Sequence, residues 1–269
     1  MKEGVLVRTR NGAALPLERI PLSSFDVFRG ALLGELAGGR RLVSFFAAPD
    51  PGAVAALWAV VADDGPGRLA VGRTLLDDER FPSLTPAAPQ AHLFEREMAE
   101  QLGLKPQGHP WLKPVRYRPS WRPGHDAWGR RQGEPILPAV GDFFRVEGDE
   151  VHEVAVGPVH AGVIEPGHFR FQCHGERVFH LEIALGFQHR GVEESLLGGP
   201  DRHTASRMET LAGDTTVGHA TAWAQATEAL SGTSVPPRAQ AIRGIALELE
   251  RLANHAGDLG ALAGAVGFL

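Results

Sequence analysis

One cysteine, one tyrosine and three lysines are all that the 269 residues contain of those types, and each scarcity closes off a class of function. With Cys173 alone the chain cannot close an internal disulfide, nor hold by itself a four-thiolate iron–sulfur cluster or zinc site. Any such centre is expected on a partner. Positive charge rests almost wholly on arginine and the net charge is still −5, so no nucleic-acid footprint is expected. Long apolar runs are missing as well. The longest uncharged, mostly apolar ones, Ala53 to Ala62 and Gly260 to Leu269, reach about half of the roughly 20 residues that a membrane-spanning helix needs. Glu3, Arg8 and Arg10 stand where a signal peptide carries its apolar segment, so export is not predicted and a cytoplasmic location is.

What is present describes a folded chain. Hydrophobic residues make up 43% and charged residues 22%, ordinary globular proportions, and the length suits two domains. The first hundred residues read as a small α/β unit. Ser23 and Asp26 resemble a helix start, with Phe25, Phe28, Leu32 and Leu36 on one face and Gly38-Gly39 as the stop. Arg41 to Ala47, Val54 to Ala62 and Arg68 to Leu76 are strand-like, and a second helix buries Ala91, Phe94, Met98 and Leu102 before Gly103. Composition then shifts to proline, glycine, arginine and tryptophan. The expected division is therefore a domain over 1–117, a linker over 118–141 that lies as a strap on a protein surface, and a second domain over 142–269.

That second domain opens with strands and ends in helices, which makes the fold class α+β. His168 to Cys173 and Arg177 to Leu185 read as a hairpin around Gly175, with an odd-length turn that sets Phe171 against Phe179. Alternation places His168, Arg170, Gln172 and His174 on one face, read as a polar surface. Val217 to Leu230 and Pro237 to Asp258 read as helices. In the last helix Ile242, Ile245, Leu249 and Leu252 form a core stripe, while Glu248, Arg251, His255 and Asp258 form a ladder that is either solvated or buried against a partner or second helix. The Gly- and Ala-rich run after it has no polar tail, from which we expect a longer protein or a covering partner, with self-association, a domain swap or fraying beyond about Asp258. Nine of the twelve histidines follow position 150, mostly six or more residues apart, a spacing that favours surface or core roles over metal ligation.

Two segments stand apart: Gly157 to Gly162, GPVHAG, and Gly186 to Glu193, GFQHRGVE, each set a histidine beside glycines, where backbone can approach a ligand or another chain closely. With Arg238 to Gly267 they form an ordered series. On these motifs the second part resembles the large subunit of membrane-bound, energy-converting nickel–iron hydrogenases and, equally, the D-type subunit of respiratory complex I. The first part resembles the C-type subunit of complex I through Glu95 to Pro114, EREMAEQLGLKPQGHPWLKP, with its Glu-Arg-Glu start and Gly-His-Pro turn. Fusion of the two is the arrangement of formate-hydrogenlyase-like large subunits. The resemblance thus implies a small α/β C-type domain followed by a β-hairpin and the helical N-terminal portion of a hydrogenase-large-subunit-like domain.

The resemblance also marks departures. The positions of two family thiolates that hold nickel and iron are Ala212 and Thr215, neither of which replaces a thiolate. Leu211 stands about where the quinone-binding tyrosine of D-type subunits falls, and Ala265 stands for the aspartate that partners the histidine of the Gly-Pro-x-His motif, here His160. Glu193 matches the glutamate that relays protons. The expectations are a subunit without its own metal or cofactor, not catalytic alone, that docks an iron–sulfur small subunit and membrane-arm subunits, with the clusters on those partners and homo-oligomers in isolation. An alternative is a quinone or small-carrier oxidoreductase subunit with a reshaped pocket formed by His160, Asp214, Thr215, His219 and Glu193. A second alternative is a non-catalytic assembly partner.

Overall fold

A computed structural model describes residues 4–137, 143–159 and 166–268. It separates into two compact units, Met1–Asp142 and Phe143–Leu269. In the first unit, β1 (Val7–Arg10), β2 (Leu22–Ser23), β3 (Arg41–Ala48), β4 (Ala55–Asp63) and β5 (Arg68–Leu76) form one sheet of order β1-β5-β4-β3, with β2 also pairing β5. Every pairing in it is antiparallel except that of β2 with β5. Leu57, Ala59 and Val61 alternate on β4 and are fully buried, the period-2 signature of a face turned to the core. On β3 the buried residues, Leu42 and Phe45, are three apart. A bulge between Leu42 and Ser44 adds one residue there and returns Phe45 to the core face.

Two helices close that core. On α1 (Phe25–Ala37) Phe28, Leu32 and Leu36 are buried at helical spacing, and on α2 (His92–Leu102) Met98, Ala99 and Leu102 are buried. Ser24, the residue after the expected Ser23, occupies the N-cap of α1. Gly103 ends α2 in the left-handed conformation at φ +69°, and a Cβ there would stand 2.7 Å from the backbone of His125. Two conditions, handedness and close approach, therefore both require glycine. A short parallel pair, β6 (Arg80–Pro82) with β7 (Lys105–Gln107), flanks α2.

The second unit holds an antiparallel sheet of order β10-β9-β8, formed by β8 (Val151–Val159), β9 (Gly167–His174) and β10 (Arg177–Ala184). The turn corrects the expected odd loop: Arg177 pairs with His174, leaving the two residues Gly175 and Glu176 between strands. Phe179 is then extruded as a bulge between Val178 and His180, so Phe171 faces Leu181 and Phe169 faces Ile183. The bulge restores the apolar match that an even turn would have broken. Val154 and Val156 continue the two rows on β8. The opposite face, expected to be a polar surface, is in part roofed over: the Phe144 and Val146 amides donate to buried Glu182 and Gln172 at 2.9 and 3.4 Å, and Arg170 stacks on Phe143.

Helices follow: α3 (Val192–Ser195), α4 (Thr204–Glu209), a 3₁₀ turn at Gly213–Thr215, α5 (Thr216–Ser231) and α6 (Pro237–Ala265). The Gly- and Ala-rich run beyond Asp258 is helical. The helix continues to Ala265 and closes with Gly267 at φ +73°, its N–H on the Gly264 carbonyl and that of Phe268 on the Ala263 carbonyl. This is a Schellman motif, which uses Gly267 as a cap rather than as a helical residue. The core stripe is also corrected. Ile242, Ile245, Leu249 and Leu252 are all more than half exposed, and Leu259 and Val266 extend them along the same side. The physical reason lies on the other side of α6, where Arg243, Glu250 and Asn254 make the contacts to α5 and its approach. Among the described residues no helix covers the ladder of Glu248, Arg251, His255 and Asp258, which is exposed, with Glu248 paired to Arg251 at 3.0 Å.

Candidate functional site

In the first unit the segment that carries the C-type resemblance is the organiser of its surroundings. Successive polar residues of α2 each hold a different piece of chain. Glu95 is fully buried and accepts from Ser83 Oγ at 2.5 Å, Leu84 N at 2.6 Å, and Thr85 Oγ1 and N at 2.6 and 3.3 Å. Arg96 donates through Nε to the Lys113 carbonyl at 2.8 Å and through Nη2 to the Pro114 carbonyl at 2.9 Å. Glu97 pairs with Arg116, and buried Glu100 accepts the amides of Val115, Arg116 and Arg118. The Gln101 and Leu102 carbonyls accept from Trp121 N and Arg122 Nη1. Residues 113–122 are thereby strapped to the helix. The proline- and arginine-rich stretch thus belongs by its bonds to the first unit.

The strap walls a cavity of about 450 Å³, with Leu112, Pro114, Tyr117, Trp128, Ile136 and Leu137 among its lining. Tyr117 stands at φ +57°, the left-handed region that a bulky side chain rarely adopts. Trp128 Nε1 donates to the Leu112 carbonyl at 3.0 Å, and Arg130, paired with Asp126 at 2.7 Å, stacks on the indole. Partial burial disfavours ionised Asp126, but its bonds from Arg130 and from the Arg130 and Trp128 amides prevail and hold its carboxyl below the ordinary range. Glu79 behaves alike: partial burial opposes its charge, while His125 and Lys105 outweigh that and lower its pKa.

In the second unit the candidate residues Asp214 and Thr215 form the 3₁₀ turn and are exposed, and His219 stands half-buried in the first turn of α5. Glu193 is exposed on α3, and His160 lies outside the described residues. What fixes this loop was missed by the sequence reading. Glu250 of α6 accepts the Val217 and Gly218 amides at 2.6 and 3.0 Å, an N-terminal cap supplied by another helix, and Asn254 Nδ2 donates to the Asp214 carbonyl at 2.5 Å. The usable signal was the spacing Glu250–Asn254, one turn apart on the side away from the apolar stripe.

Cys173 is buried on β9 between His152 and Val178. Among the described residues no group of three His, Cys, Asp or Glu side chains converges as a metal site, and no helix is long and apolar enough to cross a membrane.

Residues 52–131 match the family described as respiratory-chain NADH dehydrogenase, 30 Kd subunit. Hydrogenase-4 component G of Escherichia coli is 34% identical over 202 residues, 71% of this chain and 36% of that protein. The chain belongs to the fused C/D-type, hydrogenase-like subunits. Formate hydrogenlyase subunit 5 of E. coli is similar at 32% identity over 199 residues, covering 70% of this chain and 35% of that protein. The C/D subunit of the NADH-quinone oxidoreductase of Gluconacetobacter diazotrophicus is 30% identical over 203 residues, 65% of this chain and 33% of that protein. The C/D-type chain spans about a third of the length of these curated relatives. Its C-type signature, Glu95 to Pro114, falls inside the matched family segment.

Proposed function

We propose that this chain is a subunit of an energy-converting redox complex related to complex I and the membrane-bound hydrogenases. In that complex it docks an iron–sulfur small subunit and the membrane arm on the cytoplasmic face, without a nickel–iron centre of its own. The observation that carries the docking role is the state of the second unit. Its buried apolar residues are Cys173 and Val192 alone among those described, against the continuous core of the first unit. Neither α5 nor α6 buries a residue, and the rows Val154–Phe171–Leu181 and Val156–Phe169–Ile183 are only partly covered. Apolar area of this extent, worth roughly 25 cal/mol per Å² when covered, is the signature of a surface completed by protein. The donor set supports the second element: Ala212 and Thr215 offer no thiolate and Cys173 is enclosed in the sheet, so these residues do not fit nickel and iron.

The test is affinity purification of the tagged chain from its native host under mild detergent. Co-elution with cluster-bearing and membrane-embedded chains, with no nickel in stoichiometric amount on this one, is the expected result. A monodisperse monomer, or one nickel per chain, would overturn the reading.

A further inference from the structure

Two histidines of the first unit are used by none of the roles above. His92 opens α2, and His109 sits in the Gly-His-Pro turn that leads into the strap. Their rings lie 5.1 Å apart, centroid to centroid, and the edge of Trp111 meets His92 at 6.4 Å. The partners assign the proton on each ring. His109 Nδ1 accepts the Trp111 amide at 3.0 Å, so its proton is on Nε2, 3.2 Å from the His92 carbonyl that receives it. His92 Nε2 is 3.2 Å from Arg96 Nη1. A guanidinium only donates, so that nitrogen accepts and His92 carries its proton on Nδ1. The same Arg96 holds the Lys113 and Pro114 carbonyls.

We propose that the His92–His109 pair is a pH latch at the head of the strap: with both rings neutral it sets the turn 109–111 and supports the Arg96 guanidinium that grips Lys113 and Pro114, and a proton on either ring loosens that hold. A proton on His109 Nδ1 would set an N–H against the Trp111 amide, and one on His92 Nε2 would set a cationic donor against Arg96. The charges that act on the pair are Glu95 and Arg96, both from α2, and the nearest strap cation is Lys113. Glu95 already satisfies Ser83, Leu84 and Thr85, so it offers little to a new cation, and Lys113 is stacked on Trp111. Leu112, Lys113 and Pro114 wall the cavity just beyond His109, so loosening of the latch reaches the cavity wall.

The electrostatics agree in direction. Burial, then Arg96 and His109, push the His92 pKa below its ordinary 6.5, with Glu95 opposing. Burial also lowers that of His109 and is reinforced by Arg96, against the bond to the His92 carbonyl and the charge of Glu95. A base whose folded pKa is depressed binds more protons when released. The latch is therefore at full strength above the ordinary value of 6.5 and weakens as pH falls through and below it.

The test uses the whole chain. Nitrogen-resolved NMR of the imidazoles at about pH 7 should show the Nε2–H form for His109 and the Nδ1–H form for His92, both titrating below the ordinary histidine range. Exchange protection of amides 109–118 should fall on the order of tenfold or more by about pH 5, while α1 stays protected. The double variant His92→Gln, His109→Asn, whose carbonyl oxygens keep both acceptors and do not titrate, should lose that pH dependence. Ordinary or raised pKa values for either ring, or equal acid loosening in the double variant, would overturn the latch. Should the variant fail to fold, the wild-type tautomers and titrations decide alone.

Discussion

Replacing Glu95 by glutamine changes one atom of the best-satisfied buried group in the first unit, and the cost can be worked from its bonds. The carboxylate accepts four hydrogen bonds, from Ser83 Oγ, Leu84 N, Thr85 N and Thr85 Oγ1. A glutamine keeps its oxygen on Leu84 N and turns its amide toward the two hydroxyls, which can rotate to accept. Thr85 N then faces an NH₂ group, relieved only by Ser83 Oγ at 3.1 Å. Charge assistance is worth about 1 kcal/mol per bond, so its loss on three bonds predicts roughly 3 kcal/mol of destabilisation. Glu95→Ala leaves Ser83 Oγ, Leu84 N and Thr85 Oγ1 without the acceptor and adds a cavity, about 5 kcal/mol. Urea unfolding followed by tryptophan fluorescence reads this unit, since Trp58, Trp111, Trp121 and Trp128 lie in it. A glutamine variant within about 0.5 kcal/mol of the parent, or an alanine variant no worse than glutamine, would show that the carboxylate does not hold residues 83–85 in solution.

Gly103→Ala meets both a left-handed backbone and the His125 main chain, so a loss of roughly 2 kcal/mol with loosening of the strap is expected in the same unfolding assay. Glu250→Ala removes the acceptor for the Val217 and Gly218 amides. It should cost about 1 kcal/mol and raise exchange at those two amides first, as mass-resolved hydrogen exchange would show. Leu249→Glu with Leu252→Glu should leave the stability of the isolated chain within about 0.5 kcal/mol, because both side chains are exposed, yet abolish co-purification of partners. Asp126 has a depressed pKa, so the Arg130 pair stabilises above the ordinary carboxyl value of 3.8 and is lost as pH falls through it; Asp126→Asn should flatten that acid limb of the melting profile.

The helices and sheet of the first unit were legible because their periodicity reports a core that the same unit completes. Phe28, Leu32 and Leu36 repeat at helical spacing and are buried together. The same logic failed on α6, where Ile242 to Leu252 repeat as clearly but meet nothing: periodicity reveals that a face is apolar, not which chain covers it. Bulges were the other blind spot. Phe179 on β10 and Val43 on β3 each break the alternation by one residue, and no local composition marks them. The ring of bonds around Glu95 and Glu100 was invisible for a different reason, since a glutamate inside an amphipathic pattern reads as solvent-facing until the donors of distant loops are placed around it.

The exposed side of α6 follows a stricter rhythm than an amphipathic helix requires. Ile242, Ile245, Leu249, Leu252, Ala256, Leu259, Ala263 and Val266 are separated by alternating steps of three and four. A straight helix advances about 3.6 residues per turn, so a seven-residue repeat drifts by roughly 20° with each period. From Ile242 to Val266 that drift accumulates to roughly 70°, enough to carry a straight partner off the apolar line before the far end. A helix that is to follow Ile242 through Val266 must therefore wind around α6 with left-handed twist, crossing at about 20°. A flat sheet face or an opposite-handed crossing would reach only one of its ends. The spacing of eight small and branched side chains thus prescribes the handedness of whatever covers them.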